Sequence, residues 1–274
     1  MLKSEADRLR RVIVCTPHEE YCKASNLKEH NILEVAIREK AIVQHNQLKT
    51  VLTDFGVEVI DVPELVGHPN SVFTRDTAIC TPEGYIEVRP GITTREAEGK
   101  WMSAVLDRLG EPRVSQINPP GSVDGGDVVL WNHVAFVGLS KRTNKEGIRQ
   151  LTKDLVNMGY NAVVTIPLPD TILHLDKVLM PVSTEQLLVC GNIVPHTLLK
   201  DFKTITVDYN DMTSANIICL GDGELVVDKK NLGVINRLKN EAVTLNLLDI
   251  SEFAKGFAGP NCLIMPLERT ALIP

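Results

Sequence analysis

The 274-residue chain has no run of lysines or arginines, and its net charge is -6. Without a basic patch to replace counterions along a phosphate backbone, nucleic acid is not expected as the main partner. No apolar stretch approaches the roughly 20 residues that span a bilayer, so no membrane association is expected. Met1 to Arg11 is charged and lacks the apolar core of a secretory signal, so a cytoplasmic location is expected. The six cysteines, Cys15, Cys22, Cys80, Cys190, Cys219 and Cys262, match no zinc-ligand spacing, and Cys15 to Cys22 is too wide for a CxxC pair. Most are expected to be reduced, buried packing residues. No nucleotide-binding motif is present, and no cofactor or metal is called for. Charged residues make up only 23% and hydrophobic residues 43%, which argues for a folded chain with a large core.

A pattern recurs every 40 to 50 residues or so, a period that signals repeats. An acidic or amide residue opens an apolar strand, a short turn follows, and a second strand returns. Asp76 leads into Thr-Ala-Ile-Cys, then Pro82-Glu83-Gly84, then Tyr85 to Val88. Asp127, Asp176 and Asn216 open three further copies, and Cys262 opens the first strand of a fifth. The turns carry the Gly, Asn and Asp that hairpins favour. Helical spacing of apolar residues predicts helices over Ile32 to Phe55, Thr94 to Leu109 and Thr143 to Met158, the last with Thr143 as N-cap and Gly159 as stop. Short strands are expected after the helices, at Val57 to Val62, Val114 to Ile117, Ala162 to Ile166 and Leu245 to Ile250. Each unit thus reads strand, strand, helix, strand. Helices in every unit disfavour an all-β propeller. About five such units can close a ring as one domain over 1–274, with Asp76, Asp127, Asp176, Asn216 and Cys262 at equivalent positions near the axis.

Cys262 follows Gly-Pro-Asn, where the chain leaves a loop and enters an apolar run. A thiol there is a candidate nucleophile only if acids, bases and binding groups meet it. Phe73-Thr-Arg-Asp76, Val123-Asp-Gly-Gly-Asp127 and Leu173-His-Leu-Asp176 supply them. Jointly with Gly259-Pro-Asn-Cys262 and Ser140-Lys-Arg-Thr-Asn144, these motifs resemble the guanidine-modifying enzymes of the pentein superfamily: arginine deiminase, dimethylargininase and the amidinotransferases. The resemblance covers nearly the whole chain and implies an α/β fold, a five-bladed α/β-propeller of ββαβ repeats with pseudo-fivefold symmetry.

It also implies roles. Cys262 would attack the guanidino carbon and carry an amidino-thioether, His174 would act as general acid and base, and Asp124 would orient His174. Asp76 and Asp176 would grip the planar cation bidentately, with Phe73 walling the slot. Arg89 and Arg142 would bind an α-carboxylate, which favours an amino acid over agmatine. Asp127 is the candidate for a structural carboxylate. Gly125 and Gly126 would let the backbone approach the substrate. Tyr21 to Asn31 is a candidate lid. The expected partner is a small guanidino amino acid, L-arginine or an Nω-methylated arginine, converted to L-citrulline plus ammonia or methylamine. Asp176 tilts the choice toward arginine, because a second carboxylate wants an NH₂ where a methyl group cannot donate. Amidino transfer to an amine is the alternative, and homo-oligomerisation is left open. A non-catalytic ribosome-binding protein on the same ring fold is the competing class; the missing basic face and the Cys262–His174–Asp124 set weigh against it.

Overall fold

A computed structural model describes residues 2–210 and 213–271. Five three-stranded sheets stand one after another along the chain. The first inner hairpin is β3 (Ala78–Thr81) with β4 (Gly84–Glu87), the pair opened by Asp76, and β5 (Arg113–Gln116) lies parallel to β4. The next blades repeat the order: β6 (Val128–Trp131), β7 (Val134–Leu139) and β8 (Ala162–Pro167); β9 (Leu179–Pro181), β10 (Gln186–Cys190) and β11 (Lys203–Val207); β12 (Ile218–Gly221), β13 (Glu224–Asp228) and β14 (Thr244–Leu248). In each, the first two strands pair antiparallel and the third joins parallel after a crossover. This is the five-bladed α/β-propeller arrangement expected from the repeats.

The last blade is built from both ends of the chain. β15 (Met265–Thr270), which follows Cys262, pairs antiparallel with β1 (Arg8–Cys15), and β1 pairs parallel with β2 (Glu58–Val62). The fifth inner hairpin thus has no turn of its own; the N-terminal strand closes the ring.

Helices α1 (Arg38–Asp54), α2 (Glu96–Arg108), α3 (Lys145–Asn157) and α4 (Leu232–Leu238) make four of the five parallel crossovers. Two expectations are corrected. The β10–β11 crossover has only a single 3-10 turn, His196–Leu198, in place of a helix. Its twelve or so residues are near the minimum for any parallel connection, and Pro195 sits in their middle. The N-cap of α3 is Asn144, whose side chain accepts from Gly147 N, while the Thr143 hydroxyl accepts from Asp124 N at 3.1 Å. Among the described residues no helix is long and apolar enough to cross a membrane. All six cysteines are buried.

The repeat places the chemistry. A one-turn 3-10 helix precedes four of the inner strands: Thr74–Asp76, Gly125–Asp127, Leu175–Lys177 and Pro260–Leu263. Asn216 closes a tight turn at the fifth, its N–H bonded to Thr213 O at 2.7 Å. The side chains at these turns converge.

Candidate active site

Asp76, His174 and Cys262 line one cavity with Asn70, Phe73, Arg95, Arg142 and the segments 30–31 and 256–258. At about 20 Å³ it has room for about one water. The expected lid is one border: His30 and Asn31 face the cavity, and His30 O accepts from Asn70 Nδ2 at 2.8 Å. Its other end is pinned, because the Glu64 carboxylate accepts the backbone N–H groups of Glu19, Glu20 and Tyr21. Phe73 stands edge-on to Tyr21, with ring centroids 5.4 Å apart.

His174 is buried between two carboxylates. Its Nε2 lies 3.0 Å from Asp124 Oδ2, and its Nδ1 lies 3.5 Å from Asp76 Oδ1. Burial opposes charging of the ring, but Asp76, then Asp124 and Asp127, outweigh it and push His174 up to about 9. This surrounding charge favours the imidazolium at neutral pH. Asp124 is fixed in turn: its Oδ1 accepts from Gly91 N at 2.8 Å, and Arg142 Nη1 lies 3.7 Å from its Oδ2. Asp127 braces the fold as expected of it, accepting from Leu175 N at 2.9 Å and from Ser140 Oγ at 2.7 Å. Burial pushes its carboxyl up to about 6. The two glycines between these acids serve the protein's own packing. A Cβ on Gly126 would sit 2.6 Å from Asp76 Oδ1 and 2.8 Å from His174 Nδ1, and one on Gly125 would sit 2.2 Å from Arg75 O. Glycine is needed there so that Asp76 and His174 can approach the backbone, whereas the sequence suggested approach by substrate.

Asp76 is engaged, not free. Its Oδ2 accepts from Arg95 Nη1 at 2.5 Å and its Oδ1 from Gly126 N at 3.1 Å. Burial works against its charge, but His174 and Arg95 hold it well below the usual carboxylate range. Asp176 differs. Its Oδ2 accepts from Asn261 Nδ2 at 3.2 Å, while its Oδ1 is buried without a protein partner. Arg142 Nη1 is buried and likewise has no hydrogen-bond partner, its nearest acid being Asp124 at 3.7 Å. Such groups are costly unless something completes them.

The Cys262 sulfur lies 3.7 Å from Asp176 Oδ2 and 3.6 Å from Asn216 Nδ2, and it accepts from Lys177 Nζ at 3.1 Å. Burial and then Asp176 push the thiol up to about 11, against the pull of Lys177. The expected set of Cys262, His174, Asp124, Asp76, Asp176, Arg142 and Phe73 is therefore brought together.

Arg89 is not. It is half-buried, bonded to Glu96 at 2.9 Å and Gly121 O at 3.2 Å, and lines a separate surface cavity with Glu87 and Lys100. Val-Arg-Pro runs straight out of β4, so its side chain reaches outward. Arg95, in the turn entering α2, occupies the inner place and also pairs with Glu98 at 2.6 Å. Burial pushes Glu98 up to about 7. Sequence reading missed Arg95, Asn70 and Lys177. Only Lys177 carried a signal, by sharing a turn with Asp176. Asp76, Asp124 and His174 also bring three potential metal-ligand atoms within 4.8 Å of one another. Arg95, Gly91 and the imidazole itself already engage them, which suits an acid–base cluster.

The family model for arginine deiminase matches residues 65–214, more than half of the chain. The chain belongs to the arginine deiminase family. Within the wider pentein superfamily it is 29% identical to the dimethylarginine dimethylaminohydrolase of Pseudomonas aeruginosa over 227 residues, 82% of this chain and 87% of that protein. It is 26% identical to the arginine deiminase of Oenococcus oeni, covering 73% of this chain and 61% of that one. The solved Pseudomonas aeruginosa enzyme, a cysteine-to-serine variant complexed with citrulline, superposes with a TM-score of 0.82 at 25% identity, covering 95% of this chain and all of that one.

Proposed function

We propose that this chain hydrolyses the guanidino group of free L-arginine to L-citrulline and ammonia through a covalent intermediate on Cys262. The observation that carries the reading is the Asp176 carboxylate: its Oδ2 lies 3.7 Å from the Cys262 sulfur, and its buried Oδ1 has no hydrogen-bond partner. A guanidinium N–H completes that carboxylate and brings its carbon to the thiolate. Arg142 lines the cavity that Cys262 borders, its Nη1 has no hydrogen-bond partner, and it is the candidate for the substrate carboxylate. The thiolate adds to the guanidino carbon. The carbon–nitrogen bond then breaks as His174 gives its proton to the departing ammonia. Water attacks the resulting amidino-thioether while His174 takes back a proton, and the carbon–sulfur bond breaks to leave the ureido product. Asp124 holds the imidazole in line throughout.

A second reading, an Nω-methylated arginine as substrate, is favoured by the likeness to the Pseudomonas aeruginosa dimethylaminohydrolase. Mass spectrometry of products from L-arginine, mono- and dimethylarginine, guanidinoacetate and agmatine separates the readings. A ureido product mainly from arginine is expected. A preference for agmatine sinks the carboxylate contacts, and a new guanidino compound in place of a ureido product turns the reading to amidino transfer. Cys262→Ser is expected to stay folded and lose turnover by at least about 10⁴-fold; citrulline formed at the original rate removes Cys262 as nucleophile.

A further inference from the structure

We propose that Lys177 is a catalytic residue: the fixed countercharge of the Cys262 thiolate, freed for that task when the substrate cation neutralises Asp176. The inference rests on the reading of Cys262 as nucleophile and adds a group that the expected chemistry did not include. Lysine is almost never fully buried unless its charge is matched. Lys177 is 1% exposed, and its ammonium donates to the nucleophile sulfur at 3.1 Å. Its backbone cannot drift, because its N–H bonds His174 O at 3.2 Å and its carbonyl accepts from Ala215 N at 2.9 Å. One helical turn presents both Asp176 and Lys177 to the sulfur.

The charges around this pair explain why a resident cation does not ionise the thiol at rest. From the Lys177 turn the sulfur faces Asp176, with His174 just before it. The neighbouring turns add Asp76 and Arg75, then Asp124 and Asp127, and Arg95 and Arg142 stand across the cavity. Without substrate, burial and the Asp176 carboxylate keep the sulfur protonated, and Asp176 is an anion that favours the buried ammonium. A guanidinium on Asp176 Oδ1 cancels that carboxylate's influence. Lys177 then faces a sulfur with no competing neighbour, the thiol proton leaves to solvent, and the thiolate forms next to the carbon it attacks. Lys177 keeps its own proton. The arrangement also limits damage: a thiol that ionises only beside substrate is protected from adventitious alkylation and oxidation. The cost is repulsion between Lys177 and the incoming cation, so Lys177 raises kcat at some expense of affinity.

The test reads the thiol directly. Iodoacetamide alkylation of Cys262 and ultraviolet thiolate absorbance, referenced to Cys262→Ser, are followed against pH for the wild type, Lys177→Met and Lys177→Arg. Each is run with and without guanidinium ion at non-denaturing concentration. Guanidinium is expected to lower the wild-type thiol pKa by about one unit or more, tenfold in thiolate at neutral pH. Lys177→Met should raise the thiol pKa with guanidinium bound by a similar amount. It should lower kcat by about 100-fold with KM unchanged or lower, and Lys177→Arg should recover part of the loss. Superimposable alkylation profiles for the wild type and Lys177→Met overturn the proposal. Should Lys177→Met fail to fold, Asp176→Asn decides. Its thiol pKa without guanidinium is expected to fall toward that of the liganded wild type, and an unchanged or raised value overturns the proposal. These readouts do not depend on turnover. Loss of the Cys262 nucleophile reading would show instead as activity retained by Cys262→Ser.

Discussion

At the scale of single residues, His174 concentrates the electrostatics of the site. Both ring nitrogens face carboxylates, and the folded protein holds its proton more tightly than an unfolded chain does. With a raised pKa, its ionic contribution to stability is complete below the ordinary value of 6.5 and is lost as pH rises through about 9. Asp127 and Glu98, raised to about 6 and about 7 by burial, lose their contribution mostly below that window. The melting temperature of the wild type is therefore expected to fall as pH rises from 6.5 to 9. His174→Gln is expected to melt lower at pH 6.5 yet to decline less over the same interval. Parallel declines measured by calorimetry would mean that His174 is not charged in the folded state. Within the family resemblance, His-Leu-Asp singled out one histidine of seven. The carboxylates that meet its ring, Asp124 and Asp76, come from other turns and not from that motif.

At the scale of elements, the one-turn helices matter more than the long ones. Each ends an incoming loop and aims one or two side chains at the axis. Their positions depend on neighbours such as Asn144. Its Oδ1 accepts from Gly147 N at 2.8 Å and Ser122 N at 3.2 Å, and its Nδ2 donates to Pro120 O at 2.8 Å. It thereby caps α3 and ties it to the strand lead that carries Asp124. Asn144→Ala is expected to cost roughly 1–2 kcal/mol, the range of a lost N-cap. That corresponds to a fall of several degrees in melting temperature for a chain of this size. Thr143→Val is expected to leave the cap intact and to free the Asp124 N–H, lowering activity more than stability. Thr143 and Asn144 are both good caps by residue type, and only the path of the backbone decides between them. The β10–β11 crossover teaches a similar lesson, since period alone suggested a helix that the short, Pro-containing connection does not form.

At the scale of the whole molecule, closure of the ring is what assembles the site. Cys262 stands just before β15, which is held by the N-terminal β1. Buried charges anchor the segment before β1 and the strand β15 to the neighbouring blades. Arg75 donates to Glu5 Oε1 at 2.7 Å and to Val128 O at 2.5 Å, and Glu5 Oε1 also accepts from Leu130 N at 3.1 Å. Arg269 donates to Asp7 O at 2.6 Å and Cys219 O at 2.7 Å. Removing one partner of such a pair strands the other in a medium that cannot solvate it. Arg75→Met is expected to lose roughly 3–5 kcal/mol, read from the urea midpoint at constant slope. The double variant Glu5→Gln/Arg75→Met should recover part of that loss. An unchanged midpoint in Arg75→Met would mean that these segments are held by strand pairing alone.

The sequence by itself determined the blades and most of the chemistry. Alternating apolar strands, Gly and Asn turns and helical spacing are local properties. Three Asp residues, an Asn and a Cys stand at the repeated strand openings, and the resemblance of the motifs around them to guanidine-modifying enzymes implies a cation-binding site before any contact is known. The tertiary structure alone decided which arginine faces inward, because Arg89 and Arg95 differ only in the direction the backbone gives them. It also decided that Asp76 is held by Arg95 and that Asp176 is left open. Finally, it set an ammonium against the nucleophile sulfur. Charge pairing across 50 to 86 residues depends on distance through a folded interior, and linear spacing does not encode that distance.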